Sequence, residues 1–344
     1  MQTTPIDTLF CTRLPHTSLI ELQSKVAEIE PQSKKTLYFL YSEFLLRANR
    51  NMWYRDVLNR ASFTAIDGKG LHWAWWRLIV PSLPVKIYKK TRHIPVIRLL
   101  LLGILLPCQF VINFLSGLYL ILGRIDLSEV TKNQLVLGRD FIYPMFKIAE
   151  FNGWKTCIIC GGSDEKIDFV KNKLHHHYSK LEVGFWYKPA DSLLMRDRDT
   201  FTVSSLTPEN LYETFPELIE ARNYLLEQKP DFILVGLGGQ SGKQEVFIDS
   251  LQSDPEINFT FATGVGAALD HLGSGVEQKV AKGWFVNSGL EWLHRFVTQP
   301  YRRRRIWDSV FTLWWWTTIQ QFMNPDDYPV TLKRLLSPKK NNQK

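Results

Sequence analysis

Apolar and polar positions along the chain follow two periods in turn. Residues 6–28 read as a short extended start and then a helix over about 18–28. The run Thr36–Leu40 is apolar and aromatic and predicts a strand. Glu43–Asn59 carries helical spacing, and Ser62–Ile66 is a second short strand that ends at Asp67-Gly68. Strand, helix, strand at this spacing opens an alternating α/β domain. The alternation resumes at Lys155–Cys160, a third strand, followed by Gly161-Gly162-Ser163 and a helix through about Leu174. Leu181–Trp186 is a fourth strand and Glu217–Glu227 a helix. Asp231–Val235 is a fifth strand that runs into the glycine-rich turn Gly236–Gly242, and Phe259–Thr263 a sixth that ends in Gly264-Val265-Gly266. Ligands of such sheets bind beyond the carboxyl ends of the strands. Asp67, Gly161, Gly236–Gln244 and Gly264–Asp270 are therefore expected to converge on one cleft.

Residues 94–122 break the pattern. From Leu99 to Leu122 there is no charge, and a membrane span needs ~20 apolar residues. A single span would leave Asp67 and Gln244 on opposite sides of the membrane, which is incompatible with a shared cleft. Pro107 sits near the middle of the segment and does not continue a regular helix. A shallow re-entrant hairpin or an in-plane helical pair is therefore expected. Lys86, Lys89, Lys90, Arg92 and Arg98 precede it, as beside an anionic cytoplasmic leaflet. The competing reading is a helical pair buried in a soluble core.

Past Trp292 the character changes again. Leu293–Val297 and Arg302–Met323 predict helices with Pro300 between them, one face basic and the other rich in Trp, Phe and Ile. That is the composition of an interfacial amphipathic helix. Residues 293–344 hold ten Lys or Arg against three Asp, so they carry +7 of a net charge of +8. Charge alone does not choose between nucleic acid, anionic lipid and phosphorylated substrate. The placing of Trp307, Trp314, Trp315 and Trp316 beside Arg302–Arg305 favours lipid over phosphodiester, and no nucleic acid is expected. The last ten residues read as disordered. The chain thus divides into 1–292, interrupted by 94–122, an appendage at 293–323 and a tail at 324–344.

Four Cys, at 11, 108, 157 and 160, do not form a disulfide framework. Cys157 and Cys160 lie three apart on a predicted strand, so they face opposite ways and make a poor metal or dithiol pair. His175, His176 and His177 end a helix among Lys and Tyr and read as solvated. The first thirty residues mix charges with short apolar runs and read as no cleavable signal, so a cytoplasmic location is the default.

Three stretches resemble the WecG/TagA/CpsF glycosyltransferase family: YRDVLNRASFTAIDGKG at 54–70, KPDFILVGLGGQSGKQEVFI at 229–248, and TGVGAALDHLGSGVEQKVAKGWFVNSGLEWLHRFVTQPYRRRRIW at 263–307. A weaker one, LGRDFIYPMFKIAEFNGWKTCIICGG at 137–162, is similar to a helix and following strand of that family. The resemblance implies a Rossmann-like, mostly parallel sheet with flanking helices and a C-terminal helical appendage. It implies inverting, metal-independent transfer of a sugar, an N-acetylated amino sugar or a relative, from a UDP donor to a polyprenyl-diphosphate-linked acceptor in cell-surface polysaccharide synthesis. No cofactor is implied. The expected partners are the UDP-sugar, the lipid-linked acceptor and membrane lipid at the cytoplasmic face. The exposed appendage also offers a surface to a second copy, so a homo-oligomer stays among them.

The resemblance also assigns roles. Asp67 falls on the presumed general base, which takes the proton of the attacking acceptor hydroxyl; Asp-Gly at a strand end is equally a common turn. Lys243, Gln244 and Glu245 fall on a Lys-Gln-Glu motif that contacts the donor sugar or its diphosphate. The alternative is a polar helix start with Glu245 near the N-terminal dipole. Gly161, Gly236, Gly264 and Gly266 let the backbone approach phosphate or make tight turns. Asp270 binds a ribose or sugar hydroxyl or caps local backbone. Arg295, Arg302 and Arg305 stabilise the leaving UDP or contact lipid headgroups. Phe39 and Tyr41 stand where the family has a Thr-x-Asn motif facing the cleft, Leu135 where it has Arg, and Lys279–Lys282 where it has Arg-Ala-Pro. Two functions are carried forward: an active glycosyltransferase, or a membrane-bound binding or scaffold protein of the same fold without catalysis.

Overall fold

The structure, a computed structural model, describes residues 8–9, 12–13, 18–91, 95–121, 135–188, 207–237, 242–265, 291–298, 300 and 303–322. Two short strands, β1 (Thr8–Leu9) and β2 (Thr12–Arg13), pair antiparallel ahead of helix α1 (Leu19–Ala27). The main sheet has six strands, all parallel: β3 (Lys35–Leu40), β4 (Phe63–Ile66), β5 (Thr156–Gly161), β6 (Val183–Lys188), β7 (Phe232–Gly236) and β8 (Phe261–Gly264). Their spatial order is β4-β3-β8-β7-β5-β6. All six strands were legible from the apolar runs, each within two residues at either end. The chain runs from β3 to one edge, jumps to β5 and β6 at the other, and returns through β7 to β8. The return through β7 and the step from β5 to β6 go opposite ways, so the topological switch lies between β5 and β7.

Side chains alternate between the faces, as a pleated strand requires. Tyr38, Leu40, Ile66, Cys157, Ile159, Ile233, Val235 and Ala262 join one buried core. Leu37, Phe39, Ala65, Ile158, Cys160, Phe232, Leu234 and Phe261 join the other. The first core is covered by α2 (Ser42–Arg50), α3 (Met52–Arg60), α4 (Lys69–Ile79), and, from later in the chain, Glu217–Gln228 and Lys243–Ser253. The second is covered by α1, α7 (Gly138–Asn152) and α8 (Asp164–His177). Cys157 and Cys160 thus lie in separate cores, and His175, His176 and His177 are exposed at the end of α8.

Two expectations are corrected. The single helix expected over Glu43–Asn59 is two, α2 and α3, because Asn51 leaves helical geometry to cap α3; its Oδ1 accepts from the backbone N–H of Trp53 at 3.0 Å and of Tyr54 at 3.2 Å. The expected hairpin or helical pair at 94–122 is one helix, α6 (Pro95–Ile121), which follows α5 (Leu83–Thr91) and runs through Pro107 without a break. Pro107 lacks the N–H that would bond the Gly103 carbonyl, and the rest of the ladder carries the helix past it.

The remaining helices are α9 (Pro208–Thr214), α10 (Glu217–Gln228), α11 (Lys243–Ser253), α12 (Glu291–Thr298), α13 (Arg303–Trp307) and α14 (Leu313–Phe322). A π-helical turn, Asp308–Thr312, joins α13 to α14. The appendage expected at 293–323 is therefore helical on both sides of Pro300. The π turn packs on α2, and α14 packs on α4, α5 and α6.

Candidate active site

The carboxyl ends of the parallel strands share one edge of the sheet, and most of the expected site residues are there. Asp67 directly follows β4, its N–H donating to the carbonyl of Leu40 in β3 at 2.7 Å. Gly68 has φ 126°, a conformation side chains avoid, and opens α4. Beyond β4, Val136 N–H donates to the Ile66 carbonyl at 2.9 Å and carries the chain into α7. The first turn of α7 then underlies Asp67: a Cβ on Gly138 would stand 3.7 Å from Asp67 Oδ2 and 3.5 Å from the Phe39 ring. The half-buried Asp67 carboxylate thus lies against a helix N-terminus, where the partial positive charge of the first peptide N–H groups favours an anion.

Phe39 is buried and packs its ring on Phe141 at 5.5 Å between centroids. Phe39 thus fills the core beneath α7. The Tyr41 ring packs tilted against Phe44 at 4.2 Å between centroids, and with Leu135 Tyr41 packs on the first core.

The start of α11 brings in the second group. Gly242, at φ 77°, lies so close to Tyr54 and Arg47 that an added Cβ would stand 2.7 Å from Tyr54 Cε2 and 2.8 Å from Arg47 Nη1. Lys243, Gln244 and Glu245 open α11, with Glu245 in its first turn, and all three are buried. Lys243 Nζ stands 5.1 Å over the Phe215 ring. Gln244 lies across the end of β8, where a Cβ on Gly264 would come within 2.2 Å of its Nε2. Gln244 Nε2 donates to Glu245 Oε1 at 2.9 Å, and the Tyr54 hydroxyl donates to Oε2 at 3.1 Å. The Glu245 main-chain carbonyl accepts from the Tyr38 hydroxyl at 3.2 Å. Burial pushes the Glu245 carboxyl up to about 7, against the pull of Arg47, Tyr54 and Gln244. Burial likewise holds the Tyr54 hydroxyl well above its ordinary value, so it stays a donor.

This buried cluster of Arg47, Tyr54 and Glu245 was missed at the level of sequence. Tyr54 and Glu245 each lie in a stretch singled out above, but 191 residues apart, and no local period links them.

Gly236 and Gly161 end β7 and β5 on either side of the switch, with Cys160 in register with Gly236. Val265 N–H closes β8 onto the Val235 carbonyl at 2.9 Å. The edge therefore presents, in spatial order, Asp67, Tyr41, Gly264 with Gln244, Gly236 and Gly161. The appendage reaches the same side: a Cβ on Gly70 would stand 3.6 Å from Leu313 Cδ2. Arg295 falls on α12 and Arg305 on α13. Their side chains, with Gly266, Asp270, Arg302 and Lys279–Lys282, lie outside the described residues.

Chemically, the edge combines a carboxylate at a helix N-terminus, a buried amide held in place by an acid and laid over the strand-end Gly264, and two half-buried strand-end glycines, Gly161 and Gly236. The model of the glycosyl transferase WecG/TagA/CpsF family matches residues 117–326, more than half of the chain. The match begins inside α6 and takes in the site residues from Gly161 to Arg305; Asp67 precedes it. No curated protein matches the chain.

Proposed function

The chain belongs to the WecG/TagA/CpsF glycosyltransferase family, and on that premise we propose that it is an inverting, metal-independent transferase that moves a sugar, an N-acetylated amino sugar or a relative, from a UDP donor to a polyprenyl-diphosphate-linked acceptor at the cytoplasmic membrane face. One observation supports this reading above the others: Asp67 and the Gln244–Gly264 pair stand on one edge of a parallel sheet, separated by the single strand β3. In this reading Asp67 takes the proton of the acceptor hydroxyl as that oxygen attacks the anomeric carbon of the donor sugar. The bond from that carbon to the β-phosphate oxygen breaks on the opposite side, which inverts the centre and releases UDP. Gln244 positions the donor, and the strand-end glycines at 161, 236, 264 and 266 let the backbone approach its diphosphate. Asp270 holds a ribose or sugar hydroxyl, and Arg295, Arg302 and Arg305 neutralise the charge that grows on the leaving group.

The test is turnover and binding in one preparation. Asp67→Asn should lower kcat by roughly 10²–10⁴-fold while UDP binding by calorimetry and the melting temperature stay at wild-type values. Undiminished turnover in that variant would remove Asp67 from the base role. The burial of Phe39 where the family has a polar residue favours a second reading, a binding or scaffold protein without catalysis. Folded wild-type protein with no affinity for UDP or any UDP-sugar would establish it.

A further inference from the structure

Helix α6 is inside out. Leu100, Ile104, Val111, Phe114, Leu115 and Leu118 are exposed, Leu100 by 67% and Ile104 by 63%, whereas Gln109 and Asn113 are 0% exposed. The exposed positions recur every three or four residues, so they form one stripe. The amides point inward to a polar seam. Asn113 Oδ1 accepts from Arg77 Nε and from Gln109 Nε2, each at 2.8 Å. Asn113 Nδ2 donates to Thr318 Oγ1 at 2.8 Å and to Gln321 Oε1 at 2.9 Å. Gln109 also meets Ser82, and Ser116 Oγ accepts from Trp73 Nε1 at 3.1 Å. Water would favour the opposite arrangement, apolar side inward and amides out. Hydrocarbon favours this one, because the amides of Gln109 and Asn113 then find their partners within the protein.

The surroundings carry one sign of charge. From Lys69 to Ile125 there are eight Lys or Arg and no Asp or Glu. Lys86, Lys89 and Lys90 are exposed on α5, which packs along α6, beside exposed Leu83 and Ile87. Trp315 stacks on Phe110 at 4.7 Å between centroids and is half exposed. A second copy of the chain on a two-fold axis would bring like charges together. An anionic headgroup layer would neutralise them.

By length and composition Leu100–Leu120 could cross a membrane, but its attachments decide otherwise. The seam ties the middle of α6 to α4, whose Leu71, Ala74, Trp75 and Leu78 belong to the main core. A spanning α6 would carry that core into the bilayer.

We propose that α6 lies in the plane of an anionic lipid surface, its apolar stripe sunk in the acyl layer of one leaflet and its amide stripe locked to the catalytic domain through Arg77 of α4 and to the appendage through Thr318 and Gln321 of α14. The helix is 27 residues long, about 40 Å, and rests along the surface for that length. Asp67 lies ten residues before Arg77, about 15 Å along α4. The general base proposed above is thereby held at a constant height over the headgroups, where the diphosphate of a lipid-linked acceptor lies. That last step rests on the proposed function; the docking does not.

The full chain should be titrated with vesicles of phosphatidylglycerol and phosphatidylcholine, and with phosphatidylcholine alone. Wild type should bind the mixed vesicles and weaken on neutral ones. Ile104→Glu with Leu115→Glu, both on the exposed stripe, should lower affinity roughly 100-fold without lowering the melting temperature. Asp67→Asn should bind vesicles as wild type does, which separates this proposal from the catalytic one. Fluorophores on Ile104→Cys, Val111→Cys and Leu118→Cys in a background carrying Cys11→Ser and Cys108→Ser, quenched by nitroxide lipids, should all report the same shallow depth. A deep centre flanked by two shallow ends would mean a span and overturn the proposal. Unchanged vesicle binding in the double Glu variant would overturn it as well, as would a wild-type dimer that this variant dissociates.

Discussion

Glu245→Gln should abolish a pH dependence of stability that the wild-type chain carries. The Glu245 side chain is fully buried, and its two oxygens accept from Gln244 Nε2 at 2.9 Å and the Tyr54 hydroxyl at 3.1 Å. Burial outweighs these donors and Arg47, and raises the carboxyl from 4.5 to about 7. The unfolded chain therefore releases this proton near its ordinary 4.5, and the folded chain keeps it until about 7. Between those values the folded state binds more protons, so stability falls as pH rises. The contribution is fully present below about 4.5, is lost through the window up to about 7, and is constant above it. At about 1.4 kcal/mol per pH unit, the window corresponds to roughly 3 kcal/mol. Glutamine keeps the shape and the neutral state, so its variant should lack this slope and be the more stable protein at pH 8. Urea unfolding of both proteins at pH 5 and pH 8 measures the effect. Wild type should lose about 3 kcal/mol more than the variant between the two. Equal losses in both proteins would refute the reasoning, because Glu245 would then be ionised across the whole range.

Two further substitutions probe the contacts around that cluster and the seam. Gly264→Ala would place a Cβ 2.2 Å from Gln244 Nε2 and 2.7 Å from its Cδ, so Gln244 must leave Glu245; donor KM should rise by ~10-fold or more at a stability cost of about 1 kcal/mol, read by steady-state kinetics and thermal unfolding. Asn113→Leu keeps the volume but leaves Arg77, Thr318 and Gln321 without the amide they share; it should lower unfolding free energy by about 2–4 kcal/mol, whereas Leu115→Ala on the exposed stripe should cost little in water.

What the sequence by itself determined is whatever repeats along it. Period-two and apolar runs located all six strands of the sheet, and the residues at their carboxyl ends followed at once: Asp67, Gly161, Gly236 and Gly264. The resemblance of 229–248 and 263–307 to a known family then supplied the chemistry those positions would serve. The order of strands was not written there. Only the tertiary structure places β8 between β3 and β7 and so lays Gln244 over Gly264. Arg47 and Tyr54 reach Glu245 across about two hundred residues, a meeting set by how segments cross. The same division holds in α6. The spacing of Gln109, Asn113 and Ser116 defines a stripe, and the apolar residues define another, but periodicity does not say which stripe faces protein. Only the packing of Arg77, Thr318 and Gln321 against the amides turned the polar side inward. A helix presents its faces to whatever surrounds it, and those surroundings are built by other parts of the chain.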